Sequence, residues 1–152
     1  MAEPLILVTN DDGVHAPGIL ALARALEGLG DVWTVAPDRN CSGMSHMISL
    51  MRPLRVQEVG ERRFQVDGSP ADCVYLAMHE VLPRRPAICV SGVNAGPNMS
   101  FDVPYSGTVG AACEATLLGI QSIAVSLPDL DTGSFDHAAH FTPELVPRTF
   151  TT

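Results

Sequence analysis

Leu5-Ile6-Leu7-Val8-Thr9, followed without a break by Asn10-Asp11-Asp12-Gly13, is the stretch on which the fold turns. An unbroken apolar and β-branched run this close to the first residue predicts a strand buried on both faces, the kind found in parallel sheets. Next, Pro17–Leu29 carries Ile19, Leu20, Leu22, Ala23, Leu26 and Leu29 at helical spacing. Pro17 suits the first turn of that helix, and Gly28 and Gly30 suit its end. Val32–Ala36 (VWTVA) is a second short strand. Strand, helix and strand in this order predict an α/β fold with a parallel sheet.

Further along, Pro37–Ser45 (PDRNCSGMS) reads as a polar, turn-rich loop. Leu54–Val59 and Arg63–Val66 flank Gly60-Glu61 and predict a hairpin. Ser69-Pro70-Ala71-Asp72 combines a cap, a proline at the first helical position and an acid in the first turn. The helix it opens is expected to reach about Leu82 and stop before Pro83. Ala87–Ser91 (AICVS) is the next buried strand, and Gly92–Ser106 a long loop. Gly107–Gly119 reads as a helix rich in small residues and Ser122–Ser126 (SIAVS) as the last strand. There is no internal repeat or low-complexity tract, and 152 residues fit one domain.

Composition narrows the function. Hydrophobic residues make up 46% and charged residues 17%, which excludes a disordered chain. Nine basic against seventeen acidic side chains give a net charge of -8, so nucleic acid is not an expected partner. Every basic residue other than histidine is Arg; without Lys there is no Walker A lysine, no Schiff-base chemistry and no receiver-domain lysine. Cys41, Cys73, Cys89 and Cys113 form no Cys-x-x-Cys pair, and a zinc or thioredoxin-type site is not expected. Three of the four lie in apolar segments, where a buried free thiol is the expected state. Leu5–Val8 lacks a basic flank and is too short for a signal or membrane span, so the expected location is cytoplasmic. The Asn-x-Ser matches at Asn40 and Asn98 are then chance sequons.

Ligands in open parallel sheets bind beyond the carboxyl ends of the strands. Polar groups gather there three times: Asn10–Gly13, Asp38–Ser45 and Gly92–Asn98. Asp11 and Asp12 are adjacent carboxylates that repel each other unless a cation or donors offset the charge, and oxygen donors suit Mg²⁺ or Mn²⁺. Equally, one of them could cap the helix near Pro17. Ser42 and Asn94 could add neutral oxygens, or serve only in loop hydrogen bonds. Tyr105-Ser106-Gly107-Thr108-Val109-Gly110 enters a helix whose N–H groups and hydroxyls could hold phosphate, or whose Ser106 or Thr108 merely caps it. No GxGxxG follows the first strand, which disfavours a dinucleotide site. His15, His46, His79, His137 and His140 form no HExxH motif, and the sequence assigns them no role.

Taken together, VTNDDG (Val8–Gly13), APDRNCSGMSH (Ala36–His46), GSPADCV (Gly68–Val74), SGVNAGPN (Ser91–Asn98) and YSGTVGAACEA (Tyr105–Ala115) resemble the survival protein SurE family. That family consists of metal-dependent nucleotidases that remove phosphate from nucleoside monophosphates. The resemblance runs in order from about Leu5 to Ser126. It implies a Rossmann-like α/β sandwich with a mainly parallel sheet. It also implies one divalent ion per subunit, Mg²⁺ or Mn²⁺, held by Asp11, Asp12, Ser42 and Asn94. By the same resemblance Asn98 and Ser106-Gly107-Thr108 form the phosphate pocket, with Asp11, Asp12 and Asn98 as the catalytic residues. A homo-oligomer, dimer or tetramer, is implied as well.

Two other functions stay open at this level: a module that binds metal and nucleotide without turnover, and a phospho-acceptor, against which the missing Lys counts. SurE-like chains are longer and continue after the SIAVS strand with a helix and further strands. Ser134–Phe141 starts like that helix, but Pro143 and Pro147 each remove a donor and clash with the preceding turn, about 3 kcal/mol apiece in a helix interior. The sequence therefore predicts that the helix stops there and that 142–152 form an atypical tail. It reads as a C-terminally truncated or frame-altered member. Apolar faces would then be left open, giving self-association or an altered dimer, lower stability and weak activity.

Overall fold

A computed structural model describes residues 3–128 and 134–149, with the side chains of 147–149 left aside. Six strands form one sheet: β1 (Leu5–Thr9), β2 (Asp31–Pro37), β3 (Val56–Gly60), β4 (Arg63–Val66), β5 (Ile88–Asn94) and β6 (Gln121–Ser126). Their order across the sheet is β3-β4-β2-β1-β5-β6. All neighbours are parallel except the β3–β4 hairpin at one edge. The mostly parallel α/β architecture expected from the opening strand, helix and strand is the one observed.

The period of β1 divides the core in two. Ile6 and Val8 face one side, where α1 (Pro17–Leu26) and α4 (Phe135–Thr149) pack with Ile19, Leu22, Ala139 and Val146. Leu7 faces the other, where α2 (Pro70–Leu76) and α3 (Gly107–Leu117) contribute Cys73, Val74, Ala111 and Ala115. A central strand covered on both faces has no use for polar alternation, which is why LILVT reads as a continuous apolar run.

Ser69 caps α2 as the Ser-Pro-Ala-Asp stretch predicts, and the first-turn acid Asp72 also reaches back to the Ser69 N–H, closing a reciprocal capping box. The helix then loosens into a π-helical turn, Ala77–Val81, and ends at Leu82. Strand β5 is longer than predicted, because Gly92 does not end it. With φ at +145° and a site for Cβ only 2.3 Å from Val125 O, Gly92 lets the backbone shift register against β6 and continue to Asn94. Within the expected long loop, Ser100–Tyr105 winds into a 3₁₀ segment.

The C-terminal helix corrects the sequence. A break is predicted at Pro143, yet α4 runs through Pro143 and Pro147 to Thr149. Ala139, Thr142 and Val146, spaced three and four apart, are all buried on the α1 side, and Thr142 Oγ1 donates to Ala138 O at 3.0 Å. Tertiary burial of that stripe outweighs the local cost of the prolines. Residues 150–152 of the expected tail lie outside the described residues.

Candidate active site

From β1 the chain moves to β2 on one side, and later to β5 on the other. The carboxyl ends of β1 and β5 therefore flank the point where the winding reverses, the place where doubly wound sheets open a crevice. Asp11 and Asp12 leave β1 there, and Asn94 ends β5 beside them. A cavity of about 460 Å³ opens over this point, lined among others by Asp11, Ser42, Asn94, Asn98, Asp102, Tyr105 and Ser106.

Local hydrogen bonds set each group. Asn10 folds its amide over the turn, donating to Gly13 O at 2.8 Å and accepting from Gly13 N–H at 3.2 Å. This Asx-type closure turns the chain sharply enough to present both acids. Asp11 is buried, and its Oδ1 accepts from Thr108 Oγ1 at 2.6 Å. Asp12 Oδ2 accepts from Ala95 N–H at 2.9 Å. Asn94 Nδ2 donates to Gly96 O at 2.9 Å, so its carbonyl oxygen is the part left for a ligand. Ser42 is anchored through its N–H to Asn40 Oδ1 at 2.8 Å, which leaves its hydroxyl outside that bond. Neither acid caps α1, whose Ala16 cap position makes no side-chain bond.

Each of the four expected ligands thus has its nitrogen or its first oxygen committed to the protein. Among the described residues, no protein donor takes Asp11 Oδ2, Asp12 Oδ1 or Asn94 Oδ1. Partial burial raises the Asp12 carboxyl above the usual range; the Ala95 N–H offsets part of this, and neighbouring Asp11 adds to the rise. Two close carboxylates with free oxygens, beside neutral oxygen donors, fit a hard divalent cation. Among the described residues no three His, Cys, Asp or Glu converge on a point.

The start of α3 is where the sequence places the phosphate pocket. Ser106 accepts from Val109 N–H at 3.2 Å as its cap, leaving the Gly107 and Thr108 N–H groups without intrahelical partners. A Cβ at Gly107 would stand 2.8 Å from Asp11 Cβ, so only glycine lets the positive helix end come this close to the acid. Thr108 is fully buried with its hydroxyl spent on Asp11; of the expected phosphate residues Ser106 and Asn98 line the cavity, whereas Gly107 and Thr108, like Asp12, are not on its lining. Asn98 is held by its Nδ2 donating to Ser126 Oγ at 2.6 Å, which leaves one amide hydrogen for a ligand.

Sequence reasoning assigned no histidine a role, yet His46 Nε2 lies 2.6 Å from Glu114 Oε2, joining the Ser42 loop to α3. Nothing in the spacing of two residues so far apart in the chain signals this pair. Asp102 on the cavity wall is likewise not signalled by the sequence, and Tyr105 beside it enters the reading only as the start of the segment leading into α3. Both lie in the 3₁₀ segment, which the sequence reads as plain loop.

Residues 6–152 match the family model described as Survival protein SurE. The chain is 53% identical over 148 residues to the 5′-nucleotidase SurE of an Anaeromyxobacter species, covering 97% of this chain and 58% of that protein. It is 56% identical over 142 residues to the 5′-nucleotidase SurE of Geobacter sulfurreducens, with 93% and 54% covered. Its structure superposes on the SurE protein of Aquifex aeolicus with a TM-score of 0.93 at 41% identity, covering 97% of this chain and 60% of that one. The chain thus spans a little over half the length of the curated relatives it matches. With motifs, sheet order and sequence identity in agreement over nearly all its residues, this chain belongs to the survival protein SurE family.

Proposed function

We propose that this site hydrolyses the phosphomonoester of nucleoside monophosphates, giving nucleoside and inorganic phosphate, as a metal-dependent nucleotidase. One observation carries the reading: Asp11, Asp12 and Asn94 leave adjacent strands at the switch point of the sheet with oxygens not taken by protein donors, and Gly107 brings the first turn of α3 against Asp11. The activity for which the relatives are named, 5′-nucleotidase, supports it.

Asp11, Asp12, Ser42 and Asn94 would hold one Mg²⁺ or Mn²⁺ ion. Such an ion supplies Lewis-acid polarisation of the phosphoryl group and acidifies an attacking water. The residues do the rest. Thr108 Oγ1 holds Asp11 in orientation, and the α3 amides with the remaining Asn98 amide hydrogen meet the non-bridging oxygens as charge spreads over them. A positive helix end also offsets the repulsion that a protein of net charge -8 exerts on a phosphate dianion. The same reading carries a homo-oligomeric assembly and a cytoplasmic setting. Among the described residues no helix is long and apolar enough to cross a membrane.

The test is phosphate release from a panel of nucleoside monophosphates, with Mn²⁺ or Mg²⁺ and after chelation. Release is expected with either ion, to stop on chelation, and to fall about a hundredfold or more in Asp11→Asn. Equal turnover by Asp11→Asn removes the ligand assignment. Nucleotide affinity in calorimetry without phosphate release makes the site a capture module instead.

A further inference from the structure

Glu114 sits in the middle of α3 at 8% exposure, well below the helix end that lines the site. A carboxylate so buried needs a partner. Its partner is the His46 ring, at 2.6 Å, and His46 lies on the loop that carries Ser42. Ser45, between them, holds a left-handed φ of 55°, a conformation non-glycine residues keep only when their surroundings enforce it. Its N–H donates to Tyr105 O at 3.0 Å and its hydroxyl to Pro104 O at 2.6 Å. Its carbonyl rests directly on α3: a Cβ added at Gly110 would lie 2.3 Å from Ser45 O. The loop is therefore fastened to α3 and to the segment before it at a single place.

We infer that His46 and Glu114 are positioning residues for the proposed centre, locking the Ser42 loop onto α3. The inference rests on the metal reading above and extends it to two residues outside the oxygen cluster. Ser42 is an exposed, neutral group, held locally by one backbone bond to Asn40. A neutral hydroxyl attracts a cation weakly, so its contribution depends on being held in place beforehand. Downstream, the chain is fixed from Met47 onward, where Ser69 Oγ donates to Met47 O and Ser49 donates its N–H and hydroxyl to Asp72. Upstream, Cys41 N–H donates to Asp11 O at 2.6 Å. The stretch between is pinned by Ser45 and His46, and the pin is on the very helix whose first turn faces the phosphate.

The experiment is a Mn²⁺ titration followed by electron paramagnetic resonance, paired with amide hydrogen exchange over residues 41–47. His46→Ala is expected to weaken Mn²⁺ binding about tenfold, as loss of a group that orients a ligand does, and to speed exchange in the loop. His46→Gln, whose amide can still reach Glu114, should recover most of both. Gly110→Ala should reproduce the loss with His46 and Glu114 intact, because its methyl occupies the seat of Ser45 O. If wild type binds Mn²⁺ and His46→Ala binds it within twofold, with loop exchange unchanged, the positioning role is overturned and the metal reading stands. If wild type binds no Mn²⁺, the metal reading itself falls, and the positioning role with it.

Discussion

Asp12 and the cysteines show how burial sets the chemistry of single residues. The Asp12 carboxyl is raised by desolvation and by Asp11, so its ionised form is less favourable in the folded chain than in the unfolded one. An acid with a raised folded value destabilises the native state above that value, and the penalty disappears below the unfolded value near 3.8. Asp12→Asn keeps an acceptor for the Ala95 N–H while removing the charge. In chelator at neutral pH it should therefore melt above wild type, with the gap closing as pH falls toward 3.8; added Mn²⁺ should reverse the order. An unchanged melting difference across that range would contradict the assignment. Among the thiols, burial pushes Cys89 up to about 12, and Cys73 and Cys41 upward as well. Cys113 is exposed. A thiolate-specific reagent at neutral pH should titrate one thiol per native chain and four after unfolding. A second fast thiol would indicate that the loop around Cys41 opens.

At the scale of elements, what the sequence reveals depends on whether an element is specified locally. Strand β1, the capped start of α2 and the β3–β4 hairpin are spelled out by residues that touch one another along the chain, and all three were legible. The acids after β1 were legible too, as a pair needing charge compensation. Ser42 and Asn94 were not singled out by their own chemistry, because their value comes from loops that meet only in the folded sheet. Gly92 reads as the end of a strand, since its close approach to Val125 O is a tertiary fact. In α4 the prolines read as a break, although the stripe Ala139, Thr142 and Val146 holds the helix to α1. If burial there outweighs a local penalty, the penalty is still present and can be relieved. Pro143→Ala restores an N–H donor in the helix interior. It should raise stability by about 1–2 kcal/mol in denaturant titration, part of the roughly 3 kcal/mol a proline costs there. A loss of stability instead would mean that the helix depends on the ring's own packing.

At the scale of the molecule, the two edges of the sheet differ. The β3–β4 hairpin ends the sheet on one side, whereas β6 ends it on the other with no further strand beside it among the described residues. Next to β6 lies an apolar cavity of about 500 Å³, lined by Ile123, Val125, Leu127 and Phe141 among others, with Phe141 and Leu145 exposed on α4. An apolar groove with exposed Phe141 and Leu145 beside it favours association with another chain. Net charge works against it: two copies at -8 repel each other at long range, and salt shortens that repulsion to about 8 Å at 0.15 M. The two terms predict a definite salt dependence. Light scattering after gel filtration should show association that rises with protein concentration and strengthens from low to moderate salt. An interface built on ion pairs would weaken instead. Phe141→Glu places a charge on the groove at a position 62% exposed, so it should reduce association without lowering the melting temperature. A monomer at every concentration and salt would show that the groove and the β6 edge are compatible with water as they stand.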